Sequence, residues 1–345
     1  MGHRVSWIRR TASALVAGAL LAVVLAGAAA GWAWRWLDQP LPLRQPVVEL
    51  SVEPGTPPRN VAESWVQAGV DTDARLLYWW FRLSGESRRI RAGSYEIEAG
   101  VTPRSLLDTM VQGRESLLTL RLPEGATLRD WRRLLAGAPH LKAASAGLDD
   151  RALLAAVGAP ADGPPWAEGR FFPDTYAYSR NVSDLTLLKR AYITMQRHLQ
   201  AAWASRTADL PLKSPDDALI LASIVEKETG RADERALVAA VFINRLRLGM
   251  PLQTDPTIIY GLGEAFDGNL RKRDLLADGP YNTYLRPGLP PSPIAMPSLA
   301  SIRAALNPAD SKALYFVARG DGSSEFSLTL DAHNRAVNRY QRGRP

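Results

Sequence analysis

The chain has 345 residues, 46% apolar and 22% charged, with a formal net charge of +7. That is long enough for two ordinary domains behind a targeting segment and excludes global disorder, and the spread of Lys and Arg without a block of five or six argues against nucleic acid as a partner. With no cysteine and with His3, His140, His198 and His333 far apart, disulfides, thiol chemistry and a lipidated Cys are ruled out, and neither a protein-built metal site nor a cofactor is expected.

Residues 1–10 carry Arg4, Arg9 and Arg10, and residues 11–34, "TASALVAGALLAVVLAGAAAGWAW", carry no charge. As a helix that stretch spans roughly 36 Å, enough for a hydrocarbon core of about 30 Å. Trp32, Trp34 and Trp36 cluster at its far end as an interfacial belt, and the arginines ahead of it predict a cytoplasmic N-terminus and an exported body. "AGAAAG" offers small-residue cleavage sites, so a cleaved signal peptide is the rival. The length of the run and the Trp belt favour a retained single-pass anchor, with the body outside the cytoplasm. Residues 35–46, "RWLDQPLPLRQP", read as an extended Pro-rich linker of at most about 37 Å.

Three segments then repeat one design: "LSVEPGTPPRNVAESW" (50–65), "YEIEAGVTPRSLLDTM" (95–110) and "LRLPEGATLRDWRRLL" (120–135). Each is an alternating strand, a Gly turn, a Thr and an amphipathic helix. Thr56, Thr102 and Thr127 are the expected N-caps, with Pro57 and Pro103 at first helical positions. The pattern resembles the start of LysM modules, which bind N-acetylglucosamine polymers, so residues 47–135 are expected to form a LysM-like α+β region that is either a glycan binder or a spacer. "LLYWWFRL" (76–83) reads as buried core rather than a sugar platform.

Residues 136–345 are expected to form a mainly helical domain, giving an α+β chain overall. "EGRFFPDTYAYSR" (168–180) is aromatic-rich and broken by Pro173, and a long amphipathic helix follows. In "KSPDDALILASIVEKETG", Ser214 is the N-cap, Pro215 the first position, Asp217 the partner in a capping box and Gly230 the stop. The helix is nearly all apolar, so it belongs in the domain centre, and Glu226 and Glu228 lie in its last turn. There the helix dipole and desolvation both disfavour the anion, which suits a general acid. Residues two apart lie about 200° apart on a helix, so the two carboxyls face different neighbours. Burial alone leaves the choice open. By analogy with lysozyme-like lytic transglycosylases, whose catalytic Glu ends a buried helix ahead of a small hydroxyl residue, Glu228 before Thr229 is the candidate.

"EGRFFPDTY", "LASIVEKETG", "VFINRLRLGMPLQTDPTIIYGLG", "YNTYLRPGLPPSPIAMPS" and "ALYFVARGDGSSEFSLTLDAHNRAV" occur in that order. Together they resemble the endolytic murein transglycosylase (MltG/YceG-like) family over about residues 45–341. The resemblance implies a lysozyme-like or YceG-type catalytic domain, Glu228 as the essential acid, and cleavage of nascent peptidoglycan beside the inner membrane. Ser292 stands where the family pattern usually has Gly, a mild departure in a loop. Peptidoglycan synthases are a further partner class that the resemblance raises. The implied reaction is lytic cleavage of the MurNAc–GlcNAc β-1,4 bond with formation of 1,6-anhydro-MurNAc ends. One carboxyl suffices for it, because the 6-hydroxyl of the sugar attacks its own C1 and no water needs activation.

The Pro/Gly-rich segments 251–263 and 279–293 read as loops. Gln253, Thr254, Asp255, Tyr281, Asn282 and Tyr284 are the sugar-cleft candidates, each equally readable as a turn residue. Asp255 would be the second carboxylate of a hydrolytic muramidase, the alternative to the lytic reaction. A glycan-binding scaffold without activity is the non-enzymatic alternative. "ALYFVARGDGSSEFSLT" predicts a hairpin around Asp321-Gly322, followed by a structural His333.

Overall fold

The computed structural model describes residues 2–343, with side chains from residue 20 onward. Arg4, Arg9 and Arg10, on which the expected orientation rests, lie outside the described side chains. The chain is mixed α/β and divides into two compact units between Leu118 and Thr119.

The N-terminal unit begins with α1 (Gly2–Leu37). Its Leu20–Leu37 window has a mean hydropathy of 1.5 and is almost wholly exposed, so by length and composition α1 can cross a membrane. Its end is not free: Leu37 is buried and Trp36 packs against the unit's core. The segment expected as an extended linker is folded down as well. Leu41 is buried and donates its N–H to Val101 O at 2.7 Å, and Arg44 N–H donates to Gly69 O at 2.9 Å. The apolar side chains at 41 and 43 gain more by joining the core than the proline spacing gains by staying extended.

The rest of this unit is β1 (Val47–Val52), α2 (Pro58–Ala68), α3 (Ala74–Leu83), β2 (Gly93–Glu98) and α4 (Pro103–Gln112). β1 and β2 pair antiparallel, with Val47 opposite Glu98 and Val52 opposite Gly93. Strand alternation turns Val48, Val52, Tyr95 and Ile97 inward, onto Val61 and Trp65 of α2, Leu77 and Phe81 of α3 and Leu106 and Met110 of α4. In "LLYWWFRL" Leu77 and Phe81 are core as expected, but Trp79 is 53% exposed because helical spacing carries it off that stripe.

The strand–turn–helix repeat is present three times, the third as β3 (Leu118–Leu122) and α5 (Leu128–Gly137). Gly55, Gly100 and Gly125 all sit at positive φ, the conformation that only Gly adopts freely and that the turn requires. Thr102 and Thr127 cap their helices through full capping boxes. Thr56 does not: Pro57 is the N-cap residue, the helix starts at Pro58, and the Thr56 hydroxyl donates back to Glu53 O. The second proline supplies the first helical position, which pushes the start one residue on. The division at 118/119 differs from the expected boundary at 135/136 and places the third repeat with the C-terminal unit.

That unit continues with α6 (Asp150–Val157), β4 (Asp174–Tyr178, paired with β3), α7 (Asp184–Ala204), α8 (Pro215–Glu228), α9 (Arg235–Arg247), α10 (Asp255–Leu262), α11 (Lys272–Leu276) and α12 (Leu299–Leu306). It closes with β5 (Tyr315–Ala318), β6 (Ser324–Ser327) and α13 (Leu330–Tyr340). α8 is the central helix, buried from Ala218 to Val225 and packed against α7, α9, α10 and α12. Ser214 caps it, but Asp217 reaches back to Lys213 N–H at 2.7 Å rather than closing a capping box. The 251–263 segment is not wholly loop, because Asp255-Pro256 opens α10 with Pro at a first-turn position. The expected hairpin is present, with Phe316 opposite Phe326.

Candidate active site

The last turn of α8 sends three successive side chains to three neighbours. Glu226 Oε2 accepts from Ser298 N–H at 2.9 Å and from the hydroxyls of Ser298 at 2.5 Å and Ser301 at 2.6 Å. It therefore anchors the N-terminus of α12, whose N-cap is Ser298, where a carboxylate complements the helix dipole. Lys227 Nζ donates to Gly125 O, in the turn of the third repeat, at 3.0 Å. Glu228 alone turns into a cleft of about 590 Å³.

The cleft lies between the 252–255 segment and Tyr284 on one side and β5, β6 and α13 on the other, with Arg245 of α9 in its wall. Burial pushes the Glu228 carboxyl above the usual carboxylate range, the hydroxyl of Thr254 pulls it back, and Asp255 pushes it further up. Thr254 Oγ1 donates to Glu228 Oε1. Thr254 is also the N-cap of α10, yet its side chain makes no cap bond and its hydroxyl is turned to Glu228 instead.

The six cleft candidates divide. Gln253, Asp255 and Tyr284 line the cleft, and the Tyr284 hydroxyl donates to Asp255 Oδ1 at 2.6 Å. Burial, then this bond to Asp255, raises the Tyr284 phenol well above its ordinary value. Thr254 is buried behind Glu228. Tyr281 and Asn282 do not line the cleft. The Tyr281 hydroxyl shares a 2.6 Å bond with Ser292, and its ring meets Tyr260 edge-on at 4.9 Å. Asn282 donates to Leu275 O and Ala277 O and accepts from the backbone N–H of Tyr284 and Leu285, so its amide braces the loop.

The sequence reading missed three residues. Thr283 holds the 253–257 segment, accepting Gln253 N–H at its carbonyl and Thr254 N–H at its hydroxyl. Arg245 is buried in the cleft wall, and its one visible signal is a charge on the interior face of "VFINRLR". Glu168 of "EGRFFPDTY" is 5% exposed and accepts from Leu128 N–H at the start of α5 and from the Tyr260 hydroxyl. Burial raises its carboxyl to about 7. His333, expected as structural, also lines the cleft, its ring stacked on Tyr315 at 5.3 Å.

Residues 50–339 match the YceG-like family. An endolytic murein transglycosylase of Bacillus subtilis (strain 168) is 39% identical over 173 residues, 50% of this chain and 48% of that protein. A protein of the same description from Streptococcus pneumoniae serotype 2 is 26% identical over 92% of this chain and 63% of its own length. The chain thus spans between about half and under two thirds of the curated relatives it matches. The crystal structure of a putative YceG-like protein from Listeria monocytogenes superposes with a TM-score of 0.54 at 28% identity, covering 84% of this chain and 98% of that one.

Proposed function

The chain belongs to the YceG-like family, and from that premise we propose that it is a membrane-anchored endolytic lytic transglycosylase of peptidoglycan with Glu228 as its general acid. The observation that carries the reading is the half-buried Glu228 carboxyl at the end of the central helix, turned into a cleft and held by Thr254. Thr254 occupies Oε1, leaving Oε2 to carry the proton. Glu228 gives that proton to the glycosidic oxygen as the bond from C1 of the muramoyl sugar breaks. The 6-hydroxyl of the same sugar closes on C1, and its proton returns to the Glu228 carboxylate. Atoms balance without water, and the product is a 1,6-anhydro end. Burial raises the proton affinity of this carboxyl, which suits the first step.

Asp255 in the same cleft favours a hydrolytic muramidase as the second reading, since it would supply a base. The Tyr284 hydroxyl bonded to it weighs against that role. The N-terminal unit is read as LysM-like on its β1–α2–α3–β2 order and antiparallel pair. The apolar α1 supports an anchor, with the body outside the cytoplasm and close to the glycan strands and synthases. Digestion of purified glycan strands by the full chain, with mass analysis of the new ends, tests the reading. Ends lighter by one water are expected, and reducing ends alone would refute it.

A further inference from the structure

Arg245 projects from α9 into the cleft wall and is 7% exposed. Its Nη1 donates to Pro251 O at 3.1 Å, to Leu252 O at 3.0 Å and to Gln253 Oε1 at 3.1 Å, while Nε donates to Leu314 O at 2.8 Å, just ahead of β5. The guanidinium also lies over the Tyr315 ring at 5.0 Å. None of these partners is a carboxylate, so the buried charge is spent on backbone carbonyls and one amide. Those carbonyls belong to an irregular segment that has no ladder of its own, and buried backbone groups need a partner. Gln253 sits at φ 52°, a left-handed kink unusual for a side-chain-bearing residue. The very next residue is Thr254, whose hydroxyl is on Glu228.

We propose that Arg245 is the positioning residue of this site: it clamps residues 251–253 in their kinked form, so that Thr254 holds Oε1 of Glu228 and the other carboxyl oxygen faces the sugar. The planar fork of Arg suits this role, since it reaches both the 251–253 segment and Leu314 just ahead of β5. A Lys ammonium cannot span both. Without the clamp the kink relaxes and the Thr254 hydroxyl leaves the carboxyl. That hydroxyl stabilises the anion, so its loss makes Glu228 hold its proton to higher pH while the carboxyl loses its orientation. The proposal rests on Glu228 being the general acid.

The test is the pH dependence of turnover on purified glycan strands by the full chain and its Arg245→Lys, Gln253→Asn, Thr254→Val and Glu228→Gln variants. Asn tolerates the left-handed kink, is one methylene shorter, and leaves no buried charge stranded, so Gln253→Asn keeps the test open if Arg245→Lys does not fold. For Arg245→Lys a fall in kcat of about 10–100-fold is expected, with KM within about threefold, on the scale of lost acid–base positioning. The alkaline limb moves to higher pH in Arg245→Lys and in Thr254→Val, and less far in Gln253→Asn. The Arg245→Lys/Thr254→Val double variant is no worse than the worse single one, as for two residues acting through one contact. A change in KM alone, an unmoved alkaline limb, or additive losses would overturn the proposal. An active Glu228→Gln would instead overturn the assignment of the acid, whatever Arg245 does.

Discussion

Glu226 and Glu228 leave the same helix end two residues apart and serve unlike partners: Glu226 holds Ser298 and Ser301 at the start of α12, and Glu228 meets Thr254 in the cleft. Glu228→Gln keeps shape but has no proton to give, so turnover should fall by at least ~10²-fold with the fold intact. Glu226→Ala strands the Ser298 N–H and two hydroxyls and should cost stability, about 1–3 kcal/mol, while the folded protein keeps most of the proposed activity. Thermal melting and end-group analysis of both variants check this. An inactive, fully stable Glu226→Ala would reverse the roles.

Glu168 should make stability depend on pH. Its carboxyl is raised from 4.5 to about 7 by burial, so the folded state favours the protonated form. Its contribution is fully present below pH ~4.5 and is lost as pH rises through about 7, a span worth up to about 3 kcal/mol. Glu168→Gln mimics the protonated carboxyl and should flatten the fall in melting temperature between pH 5 and 8. An unchanged slope would place the titration elsewhere.

Gly169→Ala should be strongly destabilising. At φ 75° a side chain is strained, and a Cβ would come within 2.5 Å of Pro293 Cβ. Pro293 precedes Ile294, whose N–H is held by Ser223 of α8, so the clash acts on the segment seated against the central helix. A loss above 1 kcal/mol is the expected scale for such a clash, and denaturant unfolding measures it.

The course of α8 was legible because its signals are local: Ser214, Pro215 and an apolar run that ends at the glutamates. The opposed directions of Glu226 and Glu228 follow from 3.6 residues per turn. What fixes the site beyond that is tertiary. Thr254 looks like an ordinary cap, and only the packing of α10 against α8 shows that its hydroxyl goes elsewhere. Asn282 and Tyr281 have sugar-binding chemistry, but their bonding groups are consumed within their own loops. The repeats are likewise local, whereas the division at 118/119 is set by which elements pack together. Arg245 could be seen only as an oddity on a buried face, because its partners lie six to 69 residues away.

Asp255 distinguishes the two proposed reactions. Its carboxylate raises the proton affinity of Glu228 through charge repulsion, so neutralising it has a fixed sign. In Asp255→Asn the Glu228 carboxyl ionises at lower pH. A general acid works only while protonated, so the alkaline limb of kcat/KM should shift to lower pH. Tyr284 loses a charged acceptor but keeps the Asn carbonyl, so the wall of the cleft should hold its shape. If the 6-hydroxyl of the sugar is the nucleophile, Asp255→Asn still yields anhydro ends, at a rate reduced only where Glu228 is already ionised. If Asp255 activates water, the variant loses nearly all activity at every pH, and the wild-type products carry reducing ends. Mass analysis of products across pH 5–8 reads both, and a pH-independent loss would mean that the second carboxylate does chemistry rather than tuning.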